Sequence, residues 1–345
     1  ALARRTSAAA IYWNRRYELA AVERDREIAE KLRAAGTGVK SFNASLLFEP
    51  WEVLSGAGTP YKVFTPFWKT CLTRPPPLRP LPAPARLRPM DRPPEGDRLA
   101  DCDLLPAHPD WAAGFREYWI PGEEGAQRRL ERFLEILPGY AAGRDRPAEA
   151  ATSRLSPHLR WGEIGPRQVW HALAARAQAE GGERSAETFR AELGWREFCH
   201  HLLYHFPTIP RANFRPAFDR FAWRDDDAGF RAWASGCTGY PIVDAGMREL
   251  WATGWLHNRV RMITASFLVK DLLIDWRRGM GWFEDTLLDA DLANNAASWQ
   301  WVAGSGADAA PFFRIFNPAL QGGKFDPDGA YAVSYTHLTL PTNRE

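Results

Sequence analysis

The sequence predicts a mostly α-helical protein, an all-α unit preceded by part of an α/β unit. Three observations predict it. A strand–helix–strand pattern fills residues 10–48, a proline-dense stretch covers residues 74–94, and strand signals nearly vanish after residue 110. A strand, a crossover helix and a second strand make the repeating unit of a parallel sheet. Serial helical periodicity with no strands makes a helical core, here of about 200 residues.

Taken in order, Ala10–Trp13 reads as a strand, Glu18–Ala35 as a helix ending at Gly36, and Val39–Phe48 as a second strand. This is the back half of a parallel α/β domain. Phe64–Leu72 reads as a helix, and Arg74–Pro94 as a stiff, extended connector. Gly125–Leu137 is a helix stopped at Pro138-Gly139, and the prolines of Ser156-Pro157 and Gly165-Pro166 stand where helices begin. Phe189–Tyr204, Tyr240–Thr253, Leu256–Trp276 and Trp282–Leu288 continue the series. The expected units are residues 1–73, a linker over 74–124, a helical domain over 125–332, and a segment over 333–345 that departs from the preceding pattern and is set apart from the fold.

Composition bounds the function. Lys and Arg number 44 against 42 Asp and Glu, so bulk charge does not announce a nucleic-acid binder and any such site is a local patch. No apolar run approaches the roughly 18 residues a membrane span needs. The four cysteines, Cys71, Cys102, Cys199 and Cys237, have no CxxC spacing and read as free thiols of a reducing, cytoplasmic compartment. The chain begins at Ala1, and no signal peptide is visible. Sixteen tryptophans are unusual, because several lie in polar surroundings where core packing does not call for them.

The stretch from Thr253 to Trp276 organises the rest. Leu256, Val260, Ile263, Phe267 and Leu268 recur at helical spacing and face a core. Asn258, Arg261 and Met262 share another face, and an amide, a guanidinium and a thioether are an odd trio for a buried edge. Thr152-Ser-Arg-Leu-Ser156 puts hydroxyls, a guanidinium and backbone amides before a helix start, which suits either a phosphate or a plain N-cap. No GxGxxG or Walker A motif is present. Asp289 and Asp291 can bind a cation, accept from ribose hydroxyls or cap a helix. His201 and His205, one turn apart with Glu197 a turn earlier, are compatible with a metal, but HExxH is absent and no metal is expected. Trp223, Trp276 and Trp299 lie on separate segments, ordinarily as core residues.

Six motifs occur in order: Thr152-Ser-Arg-Leu-Ser156, Trp195-Arg-Glu-Phe198, Cys237-Thr-Gly-Tyr-Pro-Ile-Val-Asp-Ala245, Gly254-Trp-Leu-His-Asn-Arg-Val-Arg-Met262, Asp289 to Trp301, and Pro311-Phe-Phe-Arg-Ile-Phe-Asn-Pro318. Together they resemble the DNA photolyase/cryptochrome family, and within it the bacterial class I cyclobutane-dimer branch, from about residue 10 to 332. The resemblance implies a Rossmann-like α/β antenna domain, a linker and an all-α FAD-binding domain. It implies that Tyr140, Thr152, Ser153, Arg154, Leu155, Ser156, Phe189, Glu192, Arg196, Asn258, Arg261, Asp289, Asp291 and Asn295 hold FAD, active in its reduced form. Phe189 stands where some relatives have tryptophan.

Glu192, Trp195, Asn258, Met262 and Trp301 would form the lesion pocket, into which a dimer must be flipped. Trp195 and Trp301 would pack the fused pyrimidines, and Glu192, protonated in a dry pocket, would donate to a carbonyl oxygen gaining charge. Trp299, Trp276 and Trp223 would carry electrons to the flavin. Arg144, Trp195, Arg259, Arg314 and Gln321 would meet DNA, the arginines through its phosphates. The first strands of the antenna domain are not in the sequence, so an antenna pigment is expected to be absent, and Ile209-Pro210 in place of a Cys-Lys pair that touches a folate antenna in relatives weakens folate further. Asn258 and Met262 replace the histidines of the (6-4) branch.

The expected function is light-driven repair of cyclobutane pyrimidine dimers in UV-damaged DNA, by a monomer with no membrane association. A cryptochrome-like photoreceptor that binds FAD without repair is the alternative, and a non-catalytic DNA-binding helical domain a third reading.

Overall fold

The computed structural model describes residues 2–106, 109–180, 182–310, 312–336 and 338. Strands Ala10–Asn14 and Gly38–Phe42 pair in parallel, with Ala10 opposite Gly38 and Asn14 opposite Phe42, and the helix Leu19–Ala34 crosses between them. The second strand stops short of the expected Phe48. The Asn43 side chain takes the Leu46 amide at 2.9 Å, and the Glu197 carboxylate takes the amides of Leu47 and Phe48 at 2.9 and 3.1 Å. Those donors are lost to a sheet ladder but remain satisfied. The helix Phe64–Thr73 follows, and the proline-rich stretch then runs without regular structure, pinned where His171 Nε2 meets the Pro77 carbonyl at 2.8 Å.

The helical region holds two apolar cores. One surrounds the helix Glu183–His205, whose Leu193, Phe198 and Leu202 pack with Phe67, Phe133 and Leu173. The other joins the helices Pro241–Thr253, Asn258–Ser266, Trp276–Thr286 and Leu292–Ala303 through Leu250, Val260, Ile263, Leu268 and Trp276. Each such side chain contributes about 2 kcal/mol on burial. The 292–303 helix is the seam: Ala293 and Ala296 face the first core, Trp299 and Val302 the second. Gly279 lets Trp299 approach, since a Cβ there would lie 2.1 Å from its ring.

The expected single helix over 256–276 is broken. It runs Asn258–Ser266, widens into a π turn over Phe267–Asp271, and gives way at Leu273, with φ at +58°, to a new helix begun by Asp275, whose side chain accepts from the Arg277 amide at 2.9 Å. Polar tethers cause the break: Lys270 Nζ donates to the Ala303 carbonyl at 2.9 Å, and the Leu273 carbonyl accepts from the Arg224 amide at 2.8 Å. The apolar spacing ran through because Leu256, Val260, Ile263, Phe267 and Leu268 are all buried as expected. The segment expected as a helix over 282–288 belongs to the Trp276–Thr286 helix.

Other boundaries move. The helix Glu123–Ile136 starts earlier, with Glu123 and Glu124 in its positive first turn, and a short turn leads on to the helix Tyr140–Gly143. Helices Asp227–Ala234 and Pro318–Phe325 were not anticipated; each is short and capped by a side chain, Asp226 and Asn317. The helix Ala330–Thr336 enters the segment set apart, and its Tyr331 hydroxyl donates to buried Glu249 at 2.6 Å. Residues 337 and 339–345 of that segment, and Pro311 of the sixth motif, lie outside the described residues. Among the described residues no helix is long and apolar enough to cross a membrane.

Candidate flavin site and nucleic-acid cleft

The N-terminus of the 292–303 helix gathers Asp289, Asp291, Arg261 and Asn295 of the residues expected at a cofactor. Asp291 caps it, accepting from the Asn294 amide at 2.9 Å and side chain at 2.8 Å, with His200 Nε2 3.5 Å from its other oxygen. Burial opposes the charge, yet His200, Arg196 and the Asn294 amide outweigh it and hold the carboxyl below its ordinary value. Asp291 is therefore committed to capping. Asp289 is bridged by Arg261 Nη2 at 2.7 Å, and Arg261 Nε also holds the Leu256 carbonyl at 2.7 Å. The second Asp289 oxygen is buried without a hydrogen-bond partner among the described residues. The Asn295 side chain donates to the Met280 carbonyl at 3.0 Å and to Glu284 at 3.1 Å.

The segment 152–156 ends at the first residue of the short helix Ser156–Trp161. Arg154 adopts φ +50° and lays its guanidinium over Trp255, 4.7 Å from the ring centre, while Trp255 Nε1 donates to the Ser156 hydroxyl at 3.2 Å. Ser153 Oγ accepts from the Leu155 amide at 3.3 Å, Leu155 is buried, and Thr152 is half-buried beside them. Tyr140 and Phe189 pack edge to face at 5.3 Å. Arg196 donates to the Ser45 carbonyl, so it faces the α/β unit.

His257, which precedes Asn258, accepts from the Arg259 amide at 3.1 Å through Nδ1. Burial pushes its pKa down to about 4, so the ring is neutral and the proton sits on Nε2, which has no partner among the described residues. A buried acceptor on Asp289 and a buried donor on His257, linked through Arg261 and Leu256, suit a polar ligand with hydroxyl and phosphate groups. The residues present thus fit FAD.

The expected lesion residues sit on several elements. Trp195 stacks on Phe64 with centroids 3.8 Å apart and planes within 9°. Trp301 donates from Nε1 to the Asp308 carbonyl at 3.1 Å. Asn258 is exposed, and Met262 takes an Arg259 Nη1 contact at 3.7 Å through sulfur. Glu192 departs from expectation: instead of lying in a dry pocket, it pairs with Arg144 at 2.7 Å and its side chain is 31% exposed.

Arg259, Arg314 and Gln321 line one cleft of about 370 Å³ together with Lys324, Phe325 and Asp145, and Asp145 pairs with Arg259 at 2.9 Å. Arg144, the C-cap residue of the short helix Tyr140–Gly143, precedes Asp145 and turns to Glu192. Trp299 and Trp276 are buried and Trp223 half-buried; Trp276 Nε1 donates to Asn213 at 3.0 Å, and Trp299 packs on Phe283 at 5.1 Å and Trp233 at 6.2 Å. His201 is engaged by backbone on both sides, the Tyr61 amide at 3.0 Å and the Pro50 carbonyl at 3.3 Å.

Phe64, Asp308, Lys324 and Trp233 were missed. Lys324 carried a signal, a cation in the last turn of the helix that follows the sixth motif. Phe64 and Asp308 carried none, since only the fold brings them to Trp195 and Trp301.

Comparison with known proteins matches residues 189–338 to the FAD binding domain of DNA photolyase and residues 1–85 to the DNA photolyase domain. A deoxyribodipyrimidine photo-lyase of Agrobacterium fabrum is 53% identical over 94% of this chain and 68% of its own length. The one from Escherichia coli is 41% identical over 93% and 67%, and cryptochrome-1 of Arabidopsis thaliana 40% over 94% and 49%. The crystal structure of a bacterial class III photolyase from Agrobacterium tumefaciens superposes with a TM-score of 0.94 at 52% identity, covering 97% of this chain and 69% of that one. That relative is a class III photolyase, whereas the motifs led to the class I branch; both branches lie within one family. The chain belongs to the DNA photolyase/cryptochrome family.

Proposed function

We propose that the chain is a deoxyribodipyrimidine photo-lyase that repairs cyclobutane pyrimidine dimers in UV-damaged DNA under light, working as a monomer in the cytoplasm. One observation carries the reading. Arg259 lines the basic cleft and touches Met262 at 3.7 Å, so a phosphate-binding surface adjoins a residue of the lesion pocket. Relatives named deoxyribodipyrimidine photo-lyase, at up to 53% identity among those compared, support the same activity.

Bound and reduced, FAD would supply the light-driven electron chemistry that opens the cyclobutane ring without net redox change. The chain's own residues do the rest. Asp289, through its free oxygen, and Arg154 with the 152–156 amides would hold the cofactor's hydroxyl and phosphate groups. Arg259, Arg314 and Lys324 would bind the DNA backbone, which gives affinity without sequence preference. Trp195 and Trp301 would present apolar faces to the flipped dimer. Glu192 would hydrogen-bond the reacting bases once DNA displaces Arg144 from it.

The cryptochrome-like reading is kept because Arabidopsis cryptochrome-1 is 40% identical over most of the chain. The deciding experiment supplies the chain with FAD, reduces it chemically, and gives it an oligonucleotide with one thymine dimer. Restoration of the thymines in light and not in the dark is expected. Bound flavin without repair, and no preference for dimer DNA, would overturn the lyase in favour of the photoreceptor.

A further inference from the structure

The helix Phe64–Thr73 turns one apolar face inward. Phe67, Trp68 and Cys71 lie on it at helical spacing and are buried. Phe64, one turn before them on the same face, is only half-buried, and its ring lies flat against Trp195, with centroids 3.8 Å apart and planes within 9°. Aromatic pairs ordinarily settle offset or edge to face, at about 4.5–7 Å. This pair is closer and flatter than that, so the preference of one ring for another does not account for it, and the surroundings impose it. We propose that Phe64 is a positioning residue for dimer recognition: pressed flat behind Trp195, it fixes the plane of the indole whose other face receives the fused pyrimidines. This rests on the repair reading and deepens it.

Three contacts hold the Phe64 ring in place. Trp68 lies nearly parallel to it, at 6.3 Å and 11°. Trp68 is itself seated against the helix that carries Trp195, where a Cβ on Gly194 would lie 2.6 Å from its ring. Buried Phe198 meets Phe64 at 6.0 Å and 70° and Trp195 at 6.0 Å and 75°, so one ring braces both members of the pair. The entry to the helix is tied to the same support: the Tyr61 amide donates to His201 Nε2 at 3.0 Å, and the Tyr61 hydroxyl shares a 2.7 Å hydrogen bond with the Thr70 hydroxyl. His201 and Trp195 both belong to the helix Glu183–His205, so Phe64 and its partner are referenced to one element. With Phe64 on one face of the indole, a base that stacks on Trp195 takes the opposite face. Two pyrimidines joined covalently form a rigid block that cannot turn to suit a moving wall. A half-buried indole without Phe64 behind it would be free to change its side-chain torsions, and the stack would lose its fixed angle. Undamaged bases stay in the duplex and do not test that wall.

A positioning residue must affect dimer recognition without affecting the flavin. The test uses the FAD-loaded, chemically reduced chain with the variants Phe64→Leu and Phe64→Tyr. Leucine keeps an apolar side chain but removes the flat ring, whereas tyrosine keeps the ring. Affinity for a single-dimer oligonucleotide, affinity for the same undamaged sequence and flavin content are measured for each. Phe64→Leu is expected to lose about fivefold in dimer affinity with flavin content and undamaged-DNA affinity unchanged, while Phe64→Tyr stays within about twofold of the parent. Unchanged dimer preference in Phe64→Leu would overturn the proposal. So would an equal defect in both variants, or loss of flavin along with dimer affinity, since either would mark a merely structural role. A parent chain with no dimer preference would instead overturn the repair reading, and this inference with it.

Discussion

Arg144 and Glu192 meet at 2.7 Å, so a cation expected at the DNA surface is held by an acid expected at the lesion. Both side chains are partly exposed, and such a pair contributes only about 0–1 kcal/mol to stability. Its weight is functional. Glu192→Ala should lower the repair yield about tenfold, the worth of one hydrogen bond to a charged group, while flavin content and melting temperature hold. The same change frees Arg144, so undamaged DNA should bind more tightly and with a steeper salt dependence. Loss of flavin in this variant would refute the role assigned to Glu192.

Much of this arrangement was legible in the sequence, and the reasons are local. Positions with a period, such as Val260, Ile263 and Leu268, and caps such as Asp291 announce themselves within a few residues. The break at Leu273 did not, because the carbonyl and amide that enforce it belong to Ala303 and Arg224. The truncated second strand did not either, since Glu197 reaches Leu47 across 150 residues. Glu192 was expected in a dry pocket because the family resemblance implies it, whereas the arginine that pairs with it comes from the end of a different helix.

Arg261 bridges the Leu256 carbonyl and Asp289. Arg261→Leu would strand a carboxylate that is 8% exposed, at a cost of about 3 kcal/mol. We expect a lower melting temperature and purified protein largely free of flavin. Asp289→Asn, which avoids a stranded charge, should retain the fold yet bind FAD more weakly. Flavin absorbance per mole of protein and thermal melts separate the two effects.

Trp223 is half-buried while Trp276 and Trp299 are buried. Trp223→Phe should block photoreduction of oxidised flavin and leave repair intact once the flavin is reduced chemically. A repair defect under chemical reduction would assign Trp223 another task. Because Trp233 touches Trp299 at 6.2 Å, Trp233→Phe is the control for an alternative route.

His201 and His257 are both pushed down to about 4, in each case chiefly by burial. Unfolded histidine titrates near 6.5, so between about pH 6.5 and 4 the unfolded chain binds protons that the folded chain refuses. Stability present above pH 6.5 is therefore lost as pH falls through that window, by up to about 3 kcal/mol per residue. Melting temperature measured from pH 7 to pH 4 should fall, and His201→Gln should flatten the slope by about half. An unchanged slope would show that other groups govern the acid limit.

The cleft offers a test in which the two signs of charge act oppositely. Arg314 is exposed at its edge, and Arg259 is held by Asp145 at 2.9 Å. Each phosphate contact removed lowers the slope of log affinity against log salt by about 1. Arg314→Ala should therefore weaken dimer and undamaged DNA alike, reduce the salt slope by about 1, and leave the dimer preference standing, because phosphates carry no information about the lesion. Asp145→Asn should do the reverse, since Arg259 is released to the DNA at no cost to the fold: affinity rises for both DNAs and the slope steepens. Binding titrations at four salt concentrations on both oligonucleotides read all of these quantities at once. A loss confined to dimer DNA in Arg314→Ala would place that arginine at the lesion rather than on the backbone, because a backbone contact cannot distinguish dimer from undamaged DNA.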